Sequence, residues 1–151
     1  MTESVTIRAA THADIELVLR LWLAPGVAPS STDEAGALAS AIDHPTCAVL
    51  LAERDGEPVG TVLAAWDGWR GGLYRLMVVP EMRRRGVAGS LVRAAERFLA
   101  AAGCVRISVH VLGAETAAVA FWAAAGYAVD DRMRRFLRDL RADLGSGEAG
   151  R

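Results

Sequence analysis

The chain has 151 residues, 52% hydrophobic and 23% charged, with 15 Gly and 5 Pro, which suits one domain and excludes a disordered, collagen-like or low-complexity polymer. It contains no Lys, Asn or Gln, so all 17 basic side chains are Arg, and chemistry that needs a lysine amine (a Walker-type phosphate loop, a Schiff base, a pyridoxal enzyme) is excluded. The net charge of −1 argues against a nucleic-acid binder, yet residues 1–70 carry 4 Arg against 10 acidic groups and residues 71–151 carry 13 Arg against 8, so one end suits a cation and the other an anion.

Residues 4–10 alternate, with Val5, Ile7 and Ala9 on one face, and predict a first strand. From Thr11, a candidate cap, apolar residues recur at helical spacing (Ile15, Val18, Leu19, Trp22) until Pro25 ends the helix. After a loop of Pro, Gly and Ser, Ser31 and Glu34 make a capping-box pattern for a second short helix running toward Ile42. Residues 47–52 and 59–66 are apolar runs separated by Arg54-Asp55-Gly56-Glu57, the pattern of a hairpin. The turn 67–72 leads into a third strand of that meander, 73–79, stopped by Pro80. Residues 87–102 set Leu91, Val92, Ala95, Phe98 and Leu99 on one stripe and end at Gly103, which predicts a long helix.

A strand over 105–112, a helix over 115–125 closed by Gly126, and a closing pair of strands at 127–129 and 133–137 complete the order. The result is an α/β domain of mixed sheet over residues 1–141; residues 142–151 have nothing to bury and predict a flexible tail. Cys47 and Cys104 lie far apart in apolar stretches and read as buried free thiols of a reducing compartment. No basic stretch leads into an apolar one near Met1 and no apolar run reaches membrane-spanning length, so a cytoplasmic protein with no membrane association is expected.

The informative segment is Val78-Val79-Pro80-Glu81-Met82-Arg83-Arg84-Arg85-Gly86-Val87-Ala88-Gly89-Ser90-Leu91. A strand stops at proline, a basic turn follows, and glycine and small residues open a helix. Such a helix start offers backbone N–H groups and a positive dipole end to phosphate oxygens, and Gly86, Ala88 and Gly89 keep bulky side chains away from a diphosphate. Taken alone, it reads equally as a surface helix start with a solvated charge run. Read from Arg83, however, the segment resembles the R/Q-x-x-G-x-G/A motif of the GNAT N-acetyltransferases. Ala120-Phe121-Trp122-Ala123-Ala124-Ala125-Gly126-Tyr127 is similar to the A-x-x-Y-x-x-x-G-F/Y signature of that family's last helix, and the spacing between the two agrees. The resemblance covers residues 5–140, and the segments at Asp67-Gly68-Trp69-Arg70-Gly71 and Gly103-Cys104 are similar to small bacterial YpeA-like and RimI-like acetyltransferases.

The resemblance implies a GNAT fold: a mixed, mostly antiparallel sheet flanked by helices, with a splay between two central strands that holds acetyl-CoA. It implies no metal. The backbone of Met77, Val78 and Val79 then pairs with the pantetheine arm, the amides of Arg84, Arg85, Gly86, Val87, Ala88, Gly89 and Ser90 hold the pyrophosphate, and a strand N–H near Met77 or Val78 faces the thioester carbonyl. The implied reaction is direct transfer of acetyl from the thioester to a primary amine.

His110 stands where RimI-type enzymes carry a carboxylate and is the candidate base or water relay; the other reading is a packed strand histidine. Trp122 replaces the tyrosine usually thought to protonate the leaving thiolate, and since an indole N–H is no usable acid, it is expected to pack against the cofactor. Tyr127 or Tyr74 is left as the acid, with Tyr127 equally a core residue, and Glu115 takes a helix start where the family often has Asn. Trp22, Asp67, Trp69 and Arg70, with the loop at 25–31, are expected at the acceptor cleft. Asp67 suits a cationic amine, while Asp67-Gly68 also reads as ordinary turn chemistry. Arg132, Arg134, Arg135 and Arg138 lack the net positive domain and interleaved aromatics of a nucleic-acid surface. The acceptor is a small amine or, in a RimI-like alternative, a protein N-terminus. A non-catalytic acyl-CoA-binding or regulatory domain is the rival reading, and a homodimer is a family-level expectation.

Overall fold

In the computed structural model, residues 4–24, 26–112 and 115–141 are described. Pro25 and the expected tail at 142–151 lie outside them. Strand β1 (Thr6–Ala9) is followed by a 3₁₀ turn (His12–Asp14), helices α1 (Ile15–Trp22) and α2 (Ala35–Asp43), and the antiparallel strands β2 (Cys47–Arg54), β3 (Glu57–Trp66) and β4 (Gly71–Val78). A second 3₁₀ turn (Pro80–Met82), α3 (Val87–Ala102), β5 (Ile107–Val109) and α4 (Thr116–Ala124) complete the order. The described residues fall into two compact units, one within residues 1–110 and the other within 111–151.

The first unit is a five-stranded mixed sheet in the order β1-β2-β3-β4-β5, antiparallel except where β5 joins β4. Strand alternation sorts its two faces. Val49 and Leu51 face α1 and α2, where they join Val18, Trp22 and Leu38 in a buried cluster. Leu50, Ala52, Val62 and Ala64 alternate to the other face, which α3 covers with its buried stripe of Leu91, Val92, Ala95 and Leu99. Burying each of the larger aliphatic side chains contributes about 1.5–3 kcal/mol, so the stripe on α3 is the main reason this helix stays on the sheet. At Gly60 a Cβ atom would sit 2.9 Å from the Met77 carbonyl oxygen and 3.1 Å from Leu91, so a side chain there would force β3, β4 and α3 apart.

Several expectations need correction. Helix α2 starts one turn after Ser31, with Glu34 at its N-cap and no capping side-chain bond. Strand β5 covers only 107–109 of the expected 105–112, and Val105 is exposed. The segments 127–129 and 133–137 are not strands, and Val129, Met133, Phe136 and Leu137 are exposed. Short segments like these become strands only where a neighbouring edge supplies hydrogen bonds, and sequence alone does not supply one. Strand β5 is consequently the edge of the described sheet rather than a central strand. Both thiols are free but half-buried, and burial pushes the Cys47 thiol up.

Candidate active site

Strands β4 and β5 run parallel over only three pairs, Gly71 with Ile107, Gly72 with Ser108 and Leu73 with Val109. Beyond Leu73, β4 continues to Val78 alone, and this divergence is the expected splay. It coincides with a bulge. On β3, one residue (Val62) separates Thr61 from Leu63, but their partners Met77 and Tyr74 have two between them, Arg75 and Leu76. The extra residue is accommodated at Arg75, whose φ of 54° lies in the left-handed region, a conformation that costs a non-glycine residue roughly 1–2 kcal/mol.

After the bulge the ladder with β3 resumes, and the Val79 N–H donates to the Val59 carbonyl at 2.9 Å. Successive N–H groups of a strand point to opposite edges, so the Val78 N–H points to the side that β5 has left.

The network around the bulge is extensive. Asp33 accepts the Arg75 fork, its Oδ1 from Nε at 2.9 Å and its Oδ2 from Nη2, while Nη1 donates to the Ala28 carbonyl at 2.8 Å. The Arg75 carbonyl accepts the Thr61 hydroxyl at 2.9 Å, and Thr61 Oγ1 in turn accepts the Trp22 indole N–H at 2.9 Å. Trp22, expected at the acceptor cleft, is thus a core residue, 3% exposed, because its one polar atom is satisfied inside the first unit. Sequence reasoning passed over Arg75. The available signal was a lone arginine inside the apolar run Leu73 to Val79, since a charge placed there needs a partner.

The basic turn takes a form that suits an anion. Arg84 and Gly86 both have positive φ, 62° and 80°, which turns the chain sharply before α3. No atom lies within 4 Å of the place where a Gly86 Cβ would be, so glycine is required by conformation and the space above it stays open. The first helical hydrogen bond runs from the Ser90 N–H to the Gly86 carbonyl at 3.1 Å, which leaves the amides of Val87, Ala88 and Gly89 without an intrahelical acceptor. Val87 is buried and contributes only backbone, whereas Arg83, Arg84 and Arg85 are exposed. These groups fit a diphosphate better than any neutral ligand.

On the face that carries α1 and α2, Cys47, Ala65, Gly72 and Ser108 form one cross-strand row. They belong to the lining of an open cavity of about 380 Å³, with His44, Tyr74, Asp67 and Arg70 among its other lining residues. The Asp67 carboxylate is already engaged: Oδ1 accepts the Arg70 N–H at 2.7 Å and the Trp69 N–H at 2.8 Å, and these bonds hold its pKa below the usual carboxylate range. Trp69 is exposed, with the Arg70 guanidinium 4.5 Å from its ring centre. His110 is exposed and directly follows β5, in phase with Ser108.

In the second unit Trp122 is 9% exposed and makes edge-on contacts with Phe121 and Tyr127 at centroid distances of 5.2 and 4.9 Å. Gly126, at φ 95°, ends α4 and lets the Tyr127 N–H return to the Trp122 carbonyl at 3.0 Å. Among the described residues no group of three or more His, Cys, Asp or Glu is arranged to hold a metal ion, and no helix is long and apolar enough to cross a membrane.

Comparison with known proteins agrees with this geometry. The acetyltransferase (GNAT) family profile matches residues 15–127, through both compact units. Acetyltransferase SG1711 of Sodalis glossinidius is 33% identical over 127 residues, 84% of this chain and 89% of the relative. The aminoglycoside N-acetyltransferase AAC(6')-Iy, solved with the bisubstrate analogue CoA-S-monomethyl-acetylneamine, superposes with a TM-score of 0.74 at 22% identity, covering 90% of this chain and 99% of that one. A putative acetyltransferase from Agrobacterium tumefaciens superposes at 0.72 with 23% identity, covering 89% and 99%. With the splayed strand, the basic turn and the profile match in agreement, the chain belongs to the GNAT acetyltransferase family.

Proposed function

We propose that the protein moves an acetyl group from acetyl-CoA to a primary amine by direct attack of the amine on the thioester. The observation that carries this reading is the divergence of β4 from β5 at the Arg75 bulge, with the Val78 N–H turned to the opened side. A pantetheine arm suits that opening because it can lie along β4 as a strand does, on the backbone of Met77, Val78 and Val79. The turn and first amides of α3, from Arg84 to Ser90, suit the pyrophosphate.

Bound acetyl-CoA supplies the activated acyl group. The chain then has three tasks. It holds the two reactants together, it donates the Val78 N–H to the carbonyl oxygen that gains negative charge, and it takes a proton from the incoming ammonium. His110 is the residue for the last task, directly or through water. The departing thiolate is stable enough to leave without an acid, since thiols titrate near about 8.5, so Trp122 is compatible with turnover. The bisubstrate analogue bound by AAC(6')-Iy supports a small amine as acceptor over a protein N-terminus.

The buried indole of Trp122 favours a second reading, an acyl-CoA-binding domain that no longer turns over. A CoA-release assay with aminoglycosides, polyamines and N-terminal peptides, run beside thermal shift with CoA, separates the two. Acetyl transfer predicts CoA release with at least one small amine, whereas stabilisation by CoA without release on any acceptor supports the second reading. No stabilisation by CoA rejects both. For His110→Ala we expect kcat/KM to fall about 100-fold; an unchanged kcat/KM removes His110 from the mechanism.

A further inference from the structure

Arg75 is the one charged side chain in β4, and it is tied down at every donor position named above. Its side chain is 18% exposed, that of Asp33 only 3%. Asp33 is itself fixed, since its Oδ2 accepts the Ser30 N–H at 2.9 Å and its own N–H donates to the Ser30 carbonyl at 3.1 Å. The guanidinium therefore joins the bulge to the connection between α1 and α2 at two points, Asp33 and the Ala28 carbonyl. From the opposite side, the Arg75 carbonyl is held through Thr61 by the indole of Trp22 at the end of α1, and the guanidinium carbon lies 5.7 Å from the centre of that ring. The bulge residue is thus gripped through its side chain and through its backbone, in the conformation that determines where the next N–H groups of β4 point.

We propose that Arg75 is a positioning residue: clamped by Asp33 and the Ala28 carbonyl, it holds the β4 bulge so that the backbone N–H groups after it face the opened edge. The inference rests on the acetyl-transfer reading for its catalytic consequence, though the clamp itself does not. Because the loop it grips connects α1 to α2, loop order and the direction of the β4 amides are linked. A bidentate fork is required for this, since a lysine ammonium can reach one acceptor but cannot match both carboxylate oxygens and a third carbonyl.

The test compares Arg75→Met, Arg75→Lys and Asp33→Asn with the unaltered protein. Three quantities are measured: steady-state kinetics with the best amine of the panel, CoA affinity by titration, and amide hydrogen exchange at Met77 and Val79 against residues 50–52 of β2. For Arg75→Met we expect kcat to fall about 10- to 100-fold while CoA affinity stays within about threefold, because a small misplacement at the reacting centre costs more than the same change at the pyrophosphate. Exchange at Met77 and Val79, whose N–H groups face β3, should rise about tenfold or more with 50–52 unchanged, and Arg75→Lys should recover only part of kcat. Unchanged exchange at Met77 and Val79, or kcat and CoA affinity falling together in proportion to folded protein, overturns the proposal. Should Arg75→Met not fold, Arg75→Lys and Asp33→Asn carry the same comparison. If the unaltered protein releases no CoA with any amine, the acetyl-transfer reading fails, whereas the exchange comparison still decides the clamp.

Discussion

Asp14 shows how one side chain can carry several local roles. It is 9% exposed, accepts Nη1 and Nη2 of Arg8 at 2.8 Å each and the Thr11 N–H at 2.8 Å, which closes the capping box at the entry to α1. The Arg8 fork, with help from Thr11, holds the Asp14 carboxyl well below the usual carboxylate range. A depressed folded-state pKa means that the contribution is complete above the unfolded carboxylate value, about 3.9, and is lost as pH falls below it. We expect Asp14→Asn to lower stability at pH 7 by about 1–2 kcal/mol, a figure kept small because the Arg8 side chain is 43% exposed. Urea midpoints at pH 7 and pH 3 check this, since the gap between the two proteins should narrow at the lower pH. The Thr11 cap was legible in the sequence; the Arg8 partner was not, because it reaches Asp14 from β1 and also bridges to Glu53 on β2 at 2.7 Å.

At the scale of elements, α3 was legible from end to end. Its apolar stripe has a helical period, Gly86 precedes it and Gly103, at φ 111°, ends it, so each boundary follows from local chemistry. Gly86→Ala should therefore act through backbone alone: with open space where the Cβ would go, the penalty is roughly 1–2 kcal/mol of left-handed strain. Because the same strain moves the first amides of α3, CoA should stabilise this variant less than it stabilises the unaltered protein, as read by the thermal shift at equal CoA concentration. Strand β4 is the opposite case. Its residues form an apolar run bounded by turn and proline, as a strand should, but the insertion at Arg75 arises only from pairing with Thr61 and Leu63 on β3. The segments 127–129 and 133–137 fail for a related reason, since residue composition does not supply a hydrogen-bonded neighbour.

For the whole molecule, the charge asymmetry of the chain has a clear address: the exposed Arg83, Arg84 and Arg85 stand at the start of α3, where the diphosphate of CoA is proposed to bind. Attraction between exposed groups is screened over about 10 Å at 0.1 M salt, so CoA affinity should fall about 3- to 10-fold between 0.05 and 0.5 M salt. Titration calorimetry at the two concentrations measures it, and a salt-independent affinity would mean the arginines do not contact the anion.

The amino-acid sequence by itself determined the α/β class, the hairpin of β2 and β3, the course of α3 and the glycine-bearing basic turn, because each depends on periodicity or on conformational preferences within a few residues. Only the tertiary structure decided that Trp22 is a core residue and that Arg75 meets Asp33 across 42 positions of chain. These outcomes depend on which partner satisfies a buried polar atom. That choice is made by strand register and packing between distant segments, and no local pattern encodes it.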